Sequence, residues 1–149
     1  MTYKELALDY FGKKMHCSQA VIAAYADRCG ITKEQAFKLG SCFGSGMRKG
    51  EVCGACTGAL MVLGLMFGQD TIGDTNARER SNMVNDLMIN RFKEVCGSCI
   101  CNDLLGCDVS TPQGAKYAFD NKLFTEFCPK MVANAVDILE EIIGKMAEN

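Results

Sequence analysis

The sequence predicts an all-α fold, a compact bundle of six to eight helices around a buried central helix at about residues 52–67. Apolar residues recur with the helical period along most of the chain, and no segment shows a convincing strand alternation of period two. Residues 52–68 carry no charge, which is typical of a helix inside a protein. We interpret residues 1–149 as a single domain, because this length suits one hydrophobic core and no linker-like run interrupts it.

Three helices are predicted in the N-terminal third of the chain. Thr2 and Glu5 have the spacing of a capping box, in which each residue satisfies a free backbone N–H group of the other. Glycines indicate where the helices end. The approximate bounds are 2–12, 18–30 and 32–40.

Four further helices are predicted after the central one. Asp74 or Thr75 begins a long amphipathic helix, and a short helical piece is predicted around Asn102–Leu105. Pro112 and Pro129 each begin a helix, because proline suits the first helical position. The inward face of the long helix is predicted to carry Met83, Val84, Leu87, Met88, Phe92 and Val95. The inward face of the last helix is predicted to carry Val132, Ala135, Val136, Leu139, Ile142, Ile143 and Met146.

Charge and composition exclude several classes of function. The net charge of −2 provides no basic surface for nucleic acid or for an anionic membrane. The N-terminus has charges where a signal peptide needs an apolar stretch, so we expect a cytoplasmic protein. The uncharged residues 52–68 contain four glycines and fall short of the roughly 20 apolar residues that span a bilayer.

Ten cysteines are the most unusual feature of the composition. Disulfides are rare in the cytosol, so many cysteines in a cytosolic protein indicate metal binding or redox chemistry. The simpler alternative is that cysteines are small buried apolar residues. We expect this alternative to hold for about half of them, first of all for Cys29 and Cys42.

The densest motif is Val-Cys-Gly-Ala-Cys-Thr-Gly at residues 52–58. On a helix, Cys53 and Cys56 would lie three residues apart on one face at its N-terminus, where free N–H groups favour a thiolate. Gly54 and Gly58 would let a cofactor or a neighbouring backbone approach closely. The alternative is an ordinary contact between small residues of two helices.

A second motif, Cys96-Gly-Ser-Cys99-Ile-Cys101, follows the long helix. The separation of Cys56 from Cys96 is far longer than in a zinc ribbon, and the spacing of the cysteines does not match a ferredoxin cluster motif. A site assembled from several helices would have no fixed spacing, so metal binding stays open. The only histidine, His16, is expected to be solvated, and the glycine-rich loop at 40–50 is expected to wrap its backbone around the cysteine site.

Four cysteines stand at predicted helix starts: Cys17, Cys53, Cys101 and Cys128. Helix N-termini favour negative charge, so this placement would lower several thiol pKa values together. We therefore expect the four side chains to converge despite their separation along the chain.

At these positions the chain resembles the C_GCAxxG_C_C family of redox-active proteins, which is marked by Cys-Gly-Ala-x-x-Gly and separate cysteines. The core motif is Cys53-Gly-Ala-Cys-Thr-Gly58, with Cys17-Ser-Gln-Ala-Val before it. Cys101-Asn-Asp-Leu-Leu-Gly and Cys128-Pro-Lys follow. The resemblance implies that these four cysteines are the signature positions. A similar domain in split-Soret cytochromes implies electron transfer at an iron–sulfur site, although covalent haem is excluded here because no C-x-x-C-H occurs.

Three functions remain open from the sequence. The first is an iron–sulfur protein with the four signature cysteines as leading ligands and Cys56 or Cys99 as substitutes, because soft thiolates without histidines suit such clusters. The second is a metal-free thiol oxidoreductase in which Cys53 attacks and Cys56 or a distant cysteine resolves. The third is a partner-binding module built on a structural zinc ion with four cysteine ligands.

The expected partner is a redox protein or a small redox substrate, and a homodimer is one oligomeric state left open. The sequence does not decide between an oxidoreductase and an electron-transfer protein. It also does not assign the six additional cysteines as ligands, resolving thiols or core residues. These are Cys29, Cys42, Cys56, Cys96, Cys99 and Cys107.

Overall fold

The computed structural model describes residues 1–148 and confirms the all-α fold. Within these residues, the only β-type pairing is an isolated antiparallel bridge between Val52 and Ile100. The α-helices are α1 (Tyr3–Gly12), α2 (Cys17–Ala24), α3 (Ala26–Cys29), α4 (Lys33–Gly40), α5 (Gly54–Phe67), α6 (Thr75–Cys96), α7 (Cys101–Leu105), α8 (Pro112–Asp120) and α9 (Cys128–Ala147). A short π-helical segment covers Leu123–Phe127, whereas the segment Gly46–Gly50 contains a left-handed turn and is not a regular helix.

The predicted helix starts are confirmed by their capping hydrogen bonds. The Thr2 hydroxyl accepts from the Glu5 N–H at 3.1 Å, and the Glu5 carboxylate accepts from the Thr2 N–H at 3.0 Å. The Asp74 carboxylate accepts from the Ala77 N–H at the start of α6. These bonds satisfy donors that a helix N-terminus otherwise leaves free, so they fix where each helix begins.

The predicted second helix is divided in two at Tyr25, which gives nine α-helices in the described residues instead of six to eight. Tyr25 is fully buried, and its ring stacks on Tyr3 with the centroids 4.3 Å apart. Its hydroxyl donates to the Glu140 carboxylate at 2.7 Å. The bend therefore lies where a large buried side chain is held by contacts with α1 and α9.

The core is centred on α2 as much as on the predicted central helix. Every residue of α2 after Cys17 is buried, whereas α5 is buried mainly in its N-terminal half and leaves Leu65 43% exposed. α5 packs against α2, α6 and α9. Its first turn is thus enclosed on several sides, and this is the turn that carries the cysteine motif.

The inward face of α6 is narrower than the sequence predicts. Val84, Met88 and Phe92 are buried and recur every four residues. The prediction was wrong for Met83, Leu87 and Val95, which are 46%, 37% and 44% exposed. α6 packs against α5 and α9, and a helix covered along one stripe leaves the flanking apolar residues at the surface.

The predicted inward residues of α9 from Val132 to Ile143 are all buried.

Among residues 1–148, none of the helices combines the length and the apolar character that crossing a membrane requires.

Candidate cysteine site

Four cysteines from distant parts of the chain line a single cavity of about 270 Å³. They are Cys17, Cys53, Cys101 and Cys128, and we refer to them as the cavity group. Each comes from a different helix start or cap, so no single element builds the wall. The structure therefore brings together the four cysteines that the sequence placed at helix starts.

Three of the four stand where the sequence placed them. Cys17 is the first residue of α2, Cys53 is the N-cap of α5, and Cys101 is the first residue of α7. The prediction that Cys128 caps α9 was wrong, because the segment Leu123–Phe127 runs directly into that helix. The Cys128 N–H donates to the carbonyl of Leu123, so it is not a free helix-end donor.

A short backbone pairing fixes Cys53 beside Cys101. The Cys53 N–H donates to the carbonyl of Cys99 at 2.7 Å, and the Cys101 N–H donates to the carbonyl of Glu51 at 2.6 Å. These bonds flank the isolated bridge between Val52 and Ile100. The start of α5 and the start of α7 are thus held together by backbone atoms alone.

The motif glycines make room for α2. A methyl group built at Gly54 would overlap the Sγ of Cys17, and one at Gly58 would lie 2.7 Å from the carbonyl oxygen of Ser18. Neither position has room for a side chain, so α5 can approach α2 this closely only with glycine at both positions. Gly54 shapes the cavity itself, whereas Gly58 sets the distance between the helices one turn further on.

The glycine-rich loop covers the cavity with a left-handed turn. Ser45, Met47 and Arg48 have φ values of 54°, 58° and 61° around Gly46 at 60°, and Ser45 lines the cavity. A left-handed conformation costs a non-glycine residue roughly 1–2 kcal/mol. The loop therefore holds strained backbone directly over the cysteines, as the sequence interpretation of a wrapping loop expected.

His16 also lines the cavity although its side chain is exposed, so it lies at the rim. Its ring packs against Gly44, where an added methyl group would lie 2.5 Å from the His16 Cγ. The predicted solvated histidine is thus confirmed as exposed, but it belongs to the cavity mouth.

Burial raises the thiol pKa values of the cavity group, contrary to the expectation that helix N-termini lower them. The pKa of Cys101 and that of Cys128 rise to about 12, mainly because burial disfavours the thiolate and secondarily because the neighbouring Cys17 would add a second negative charge. Burial likewise raises the pKa of Cys17 and that of Cys53. Desolvation outweighs the helix ends here because several like charges would share one enclosed site.

Backbone donors oppose part of this rise at two of the cysteines. N–H groups of Ser45 and Ala55 hydrogen bond to the Cys17 sulfur, and those of Ala55 and Cys56 hydrogen bond to the Cys53 sulfur, and each lowers the thiol pKa. The loop and the first turn of α5 therefore present the donors that a bound or charged sulfur needs.

A family model described as "Putative redox-active protein (C_GCAxxG_C_C)" matches residues 15–142, which include the whole cavity group. The chain belongs to the C_GCAxxG_C_C family. No curated protein and no solved structure matches the chain.

The rest of the cavity wall in this C_GCAxxG_C_C protein is mainly apolar, and sequence reasoning missed it. Phe124 and Phe127 lie in the π-helical segment just before Cys128, and the aromatic pair beside a signature cysteine was the available signal. The other apolar wall residues are Phe11, Met15, Leu104, Leu105 and Met131.

Three other cysteines form a second set, the core group, made of Cys56, Cys96 and Cys99. Cys56 and Cys99 are buried in the hydrophobic core, and Cys96 is half-buried at its edge. The pKa of Cys56 rises to about 12, mainly because of burial and secondarily because of the neighbouring Cys99 and Cys96 thiols. Cys53 and Cys56 were expected on one helix face, but Cys53 is an N-cap with ψ of 130°, outside the helical geometry that this spacing assumes.

The remaining cysteines have separate surroundings. Cys29 was expected to be buried and is half-buried against the core, and the prediction that Cys42 is buried was wrong, because Cys42 is exposed. Cys107 is half-buried, and a negative charge on it would raise the pKa of Cys101.

Among residues 1–148, no group of three or more His, Cys, Asp or Glu side chains has the arrangement that holds a single metal ion.

Proposed function

We propose that this protein binds an iron–sulfur cluster through the four cysteines of the cavity group and uses it for electron transfer or reductive chemistry. One observation carries the proposal: four thiols from four separate elements surround one cavity of about 270 Å³. The family assignment supports redox activity in general terms. The four cysteine thiols support an iron–sulfur cluster as the cofactor.

The size of the cavity favours a polyatomic cluster over a single zinc ion. A tetrahedral zinc site has Zn–S distances of about 2.3 Å, so its sulfurs lie only about 3.8 Å apart. The cavity that the four thiols line together with ten other residues has a volume of about 270 Å³, which has room for a group of several atoms. Four soft thiolates are also the usual donor set of iron–sulfur clusters.

The protein residues around the cavity would supply what such a cofactor needs. Four thiolates in this mainly apolar cavity, two of them buried and two half-buried, require a positive counter-charge, because charges in apolar surroundings are strongly disfavoured. The N–H groups of Ser45 and Ala55 would hydrogen bond to the ligating Cys17 sulfur, and such bonds help to set the reduction potential. When bound, the cluster supplies reversible one-electron chemistry.

Access to the site would be from the rim that carries His16. His16 is exposed, whereas Phe124, Phe127 and Met131 line the cavity with apolar surface that keeps water away. A redox partner protein or a small redox substrate would therefore meet the cofactor at this side of the molecule.

Anaerobic purification followed by an absorption spectrum and by iron, sulfide and zinc analysis tests the proposal. We expect stoichiometric iron and acid-labile sulfide together with visible absorption. Stoichiometric zinc without sulfide would establish the structural zinc module instead. Metal-free protein with a rapidly alkylated Cys53 would establish a thiol oxidoreductase.

A further inference from the structure

The core group lies behind the first turn of α5, outside the cavity just described. The Cys99 carbonyl accepts the Cys53 N–H at 2.7 Å, which holds residue 99 against the turn that carries Cys56. Cys96 is the last residue of α6, and α6 packs along α5. Three thiols that the proposed cluster does not use are thus gathered at one junction of two helices.

Exposure within the core group is graded. Cys56 and Cys99 are buried, whereas Cys96 is half-buried and can be reached from solvent. The side-chain amide of Asn134 on α9 donates a hydrogen bond to the Cys96 sulfur at 3.5 Å. Burial raises the pKa of the Cys96 thiol, and the Asn134 donor opposes part of this rise by stabilising the thiolate, which is the form that attacks disulfides.

The link between Cys96 and Cys99 is short. Only Gly97 and Ser98 separate the two cysteines, which gives the C-x-x-C spacing of many redox pairs. Gly97 has φ of 91°, is exposed, and has no atom within 4 Å of the position of a Cβ. Closing a loop of two residues costs little chain entropy, whereas Cys56 is fixed on a packed helix.

We propose that Cys96 and Cys99 form a second redox site, a dithiol that exchanges with low-molecular-weight disulfides. The Cys96 thiolate attacks one sulfur of the disulfide, so that the first small thiol leaves and a mixed disulfide forms on Cys96. The Cys99 thiolate then attacks the Cys96 sulfur and releases the second small thiol. The two protons of the protein thiols end on the two released thiols, and the protein is oxidised by two electrons.

Disulfide mapping of the anaerobically purified protein after treatment with glutathione disulfide tests this site. Trypsin places Cys96, Cys99, Cys101 and Cys107 in peptide 94–116, and Cys53 and Cys56 in peptide 50–78. We expect a disulfide within peptide 94–116 that fragmentation assigns to Cys96 and Cys99, with any visible absorption of the protein unchanged. Exposed Cys42, in peptide 39–48, serves as the internal control for reaction with the probe.

Two variants identify the role of each thiol. Cys99→Ala should retain glutathione on Cys96 as a stable mixed disulfide, and Cys96→Ala should take up none on Cys99. A disulfide that joins Cys96 or Cys99 to Cys56 would overturn the pairing, and so would one that joins either of them to Cys101. Unmodified Cys96 and Cys99 at probe concentrations that modify Cys42 would overturn the site. The disulfide mapping of Cys96 and Cys99 does not depend on bound iron. The iron and sulfide analysis tests the cluster proposal independently.

Discussion

The cavity group and the core group place the same side chain in two different settings. Cys53 and Cys56 belong to one motif, yet Cys53 lines the cavity while Cys56 is buried in the core. The difference arises because Cys53 caps α5 with an extended ψ, whereas Cys56 lies inside the helix. A position at a helix end can present a sulfur to a site shared by several elements, and a position one turn later presents it to a neighbouring helix.

Substituting the two motif cysteines one at a time has the largest expected effect. Cys53→Ala should abolish bound iron and visible absorption, because it removes one of four ligands from the cavity. Cys56→Ala should keep both, because Cys56 lies in the core group. Iron content and absorption of the two anaerobically purified variants, with Cys29→Ala as control, measure this contrast. Equal loss of iron in both variants would show that the two groups form one site.

The pH dependence of stability should also separate the groups. In metal-free reduced protein, the raised pKa values of Cys56, Cys101 and Cys128 keep these thiols protonated in the folded state, while the unfolded chain loses protons above about pH 8.5. The folded state then binds more protons than the unfolded state. The free energy of unfolding should therefore fall as pH rises from about 8.5 towards 12, by at most about 1.4 kcal/mol per pH unit for each thiol.

A bound cluster should remove the part of this dependence that comes from Cys101 and Cys128, because their sulfurs would be thiolates at every pH studied. Urea unfolding between pH 7 and 10, with metal-free and cluster-containing protein, measures the difference. Cys56→Ala should reduce the slope in both forms. A stability that does not change with pH in the metal-free protein would contradict the burial of these thiols.

The motif glycines give a smaller and purely steric comparison. Gly58→Ala should lower the free energy of unfolding by roughly 1–3 kcal/mol, because the added methyl group would lie 2.7 Å from the Ser18 carbonyl oxygen and 3.1 Å from the Val21 Cβ. Gly64→Ala, on the same helix, is the matched control. It has no atom within 4 Å of the added methyl and should stabilise the protein by up to about 1 kcal/mol.

Chemical denaturation and cofactor content of the two glycine variants should be measured together. If the close approach of α5 to α2 also shapes the cavity, Gly58→Ala should lose cofactor as well as stability. A Gly58→Ala protein as stable as the Gly64→Ala protein would show that α2 can move away from α5 at little cost.

Helix ends and the convergence of the cavity group could be predicted because both depend on local rules. Thr2, Asp74 and Pro112 mark helix starts through hydrogen bonds and backbone angles that span only a few residues. The cysteines at helix starts were visible in the same way. A site built from element ends is readable from sequence once the ends are known.

The direction of the thiol pKa shifts could not be predicted, because it depends on how deeply several segments bury each sulfur. The helix-end argument considered only the element that carries each cysteine, whereas burial of Cys101 comes from the packing of the whole cavity. The exposure of Met83 and Leu87 was missed for the same reason, since it depends on which neighbours α6 packs against.

The last contrast is in the backbone that covers each group. α5 and α6 beside the core group are regular helices, whereas the cavity is covered by the left-handed turn at residues 45–48.

Arg48 is exposed with φ of 61°, so Arg48→Gly should remove a strain of roughly 1–2 kcal/mol at an entropic cost of roughly 0.5–1 kcal/mol. We therefore expect a net stabilisation of about 0.5–1 kcal/mol with unchanged cofactor content, since Arg48 is not part of the cavity wall. Lys49→Gly is the matched control. It should destabilise the protein, because Lys49 has ordinary backbone angles, so glycine there relieves no strain and only increases the chain entropy lost on folding. Urea unfolding of both variants decides, and a destabilised Arg48→Gly protein would show that the Arg48 side chain contributes more than its backbone strain costs.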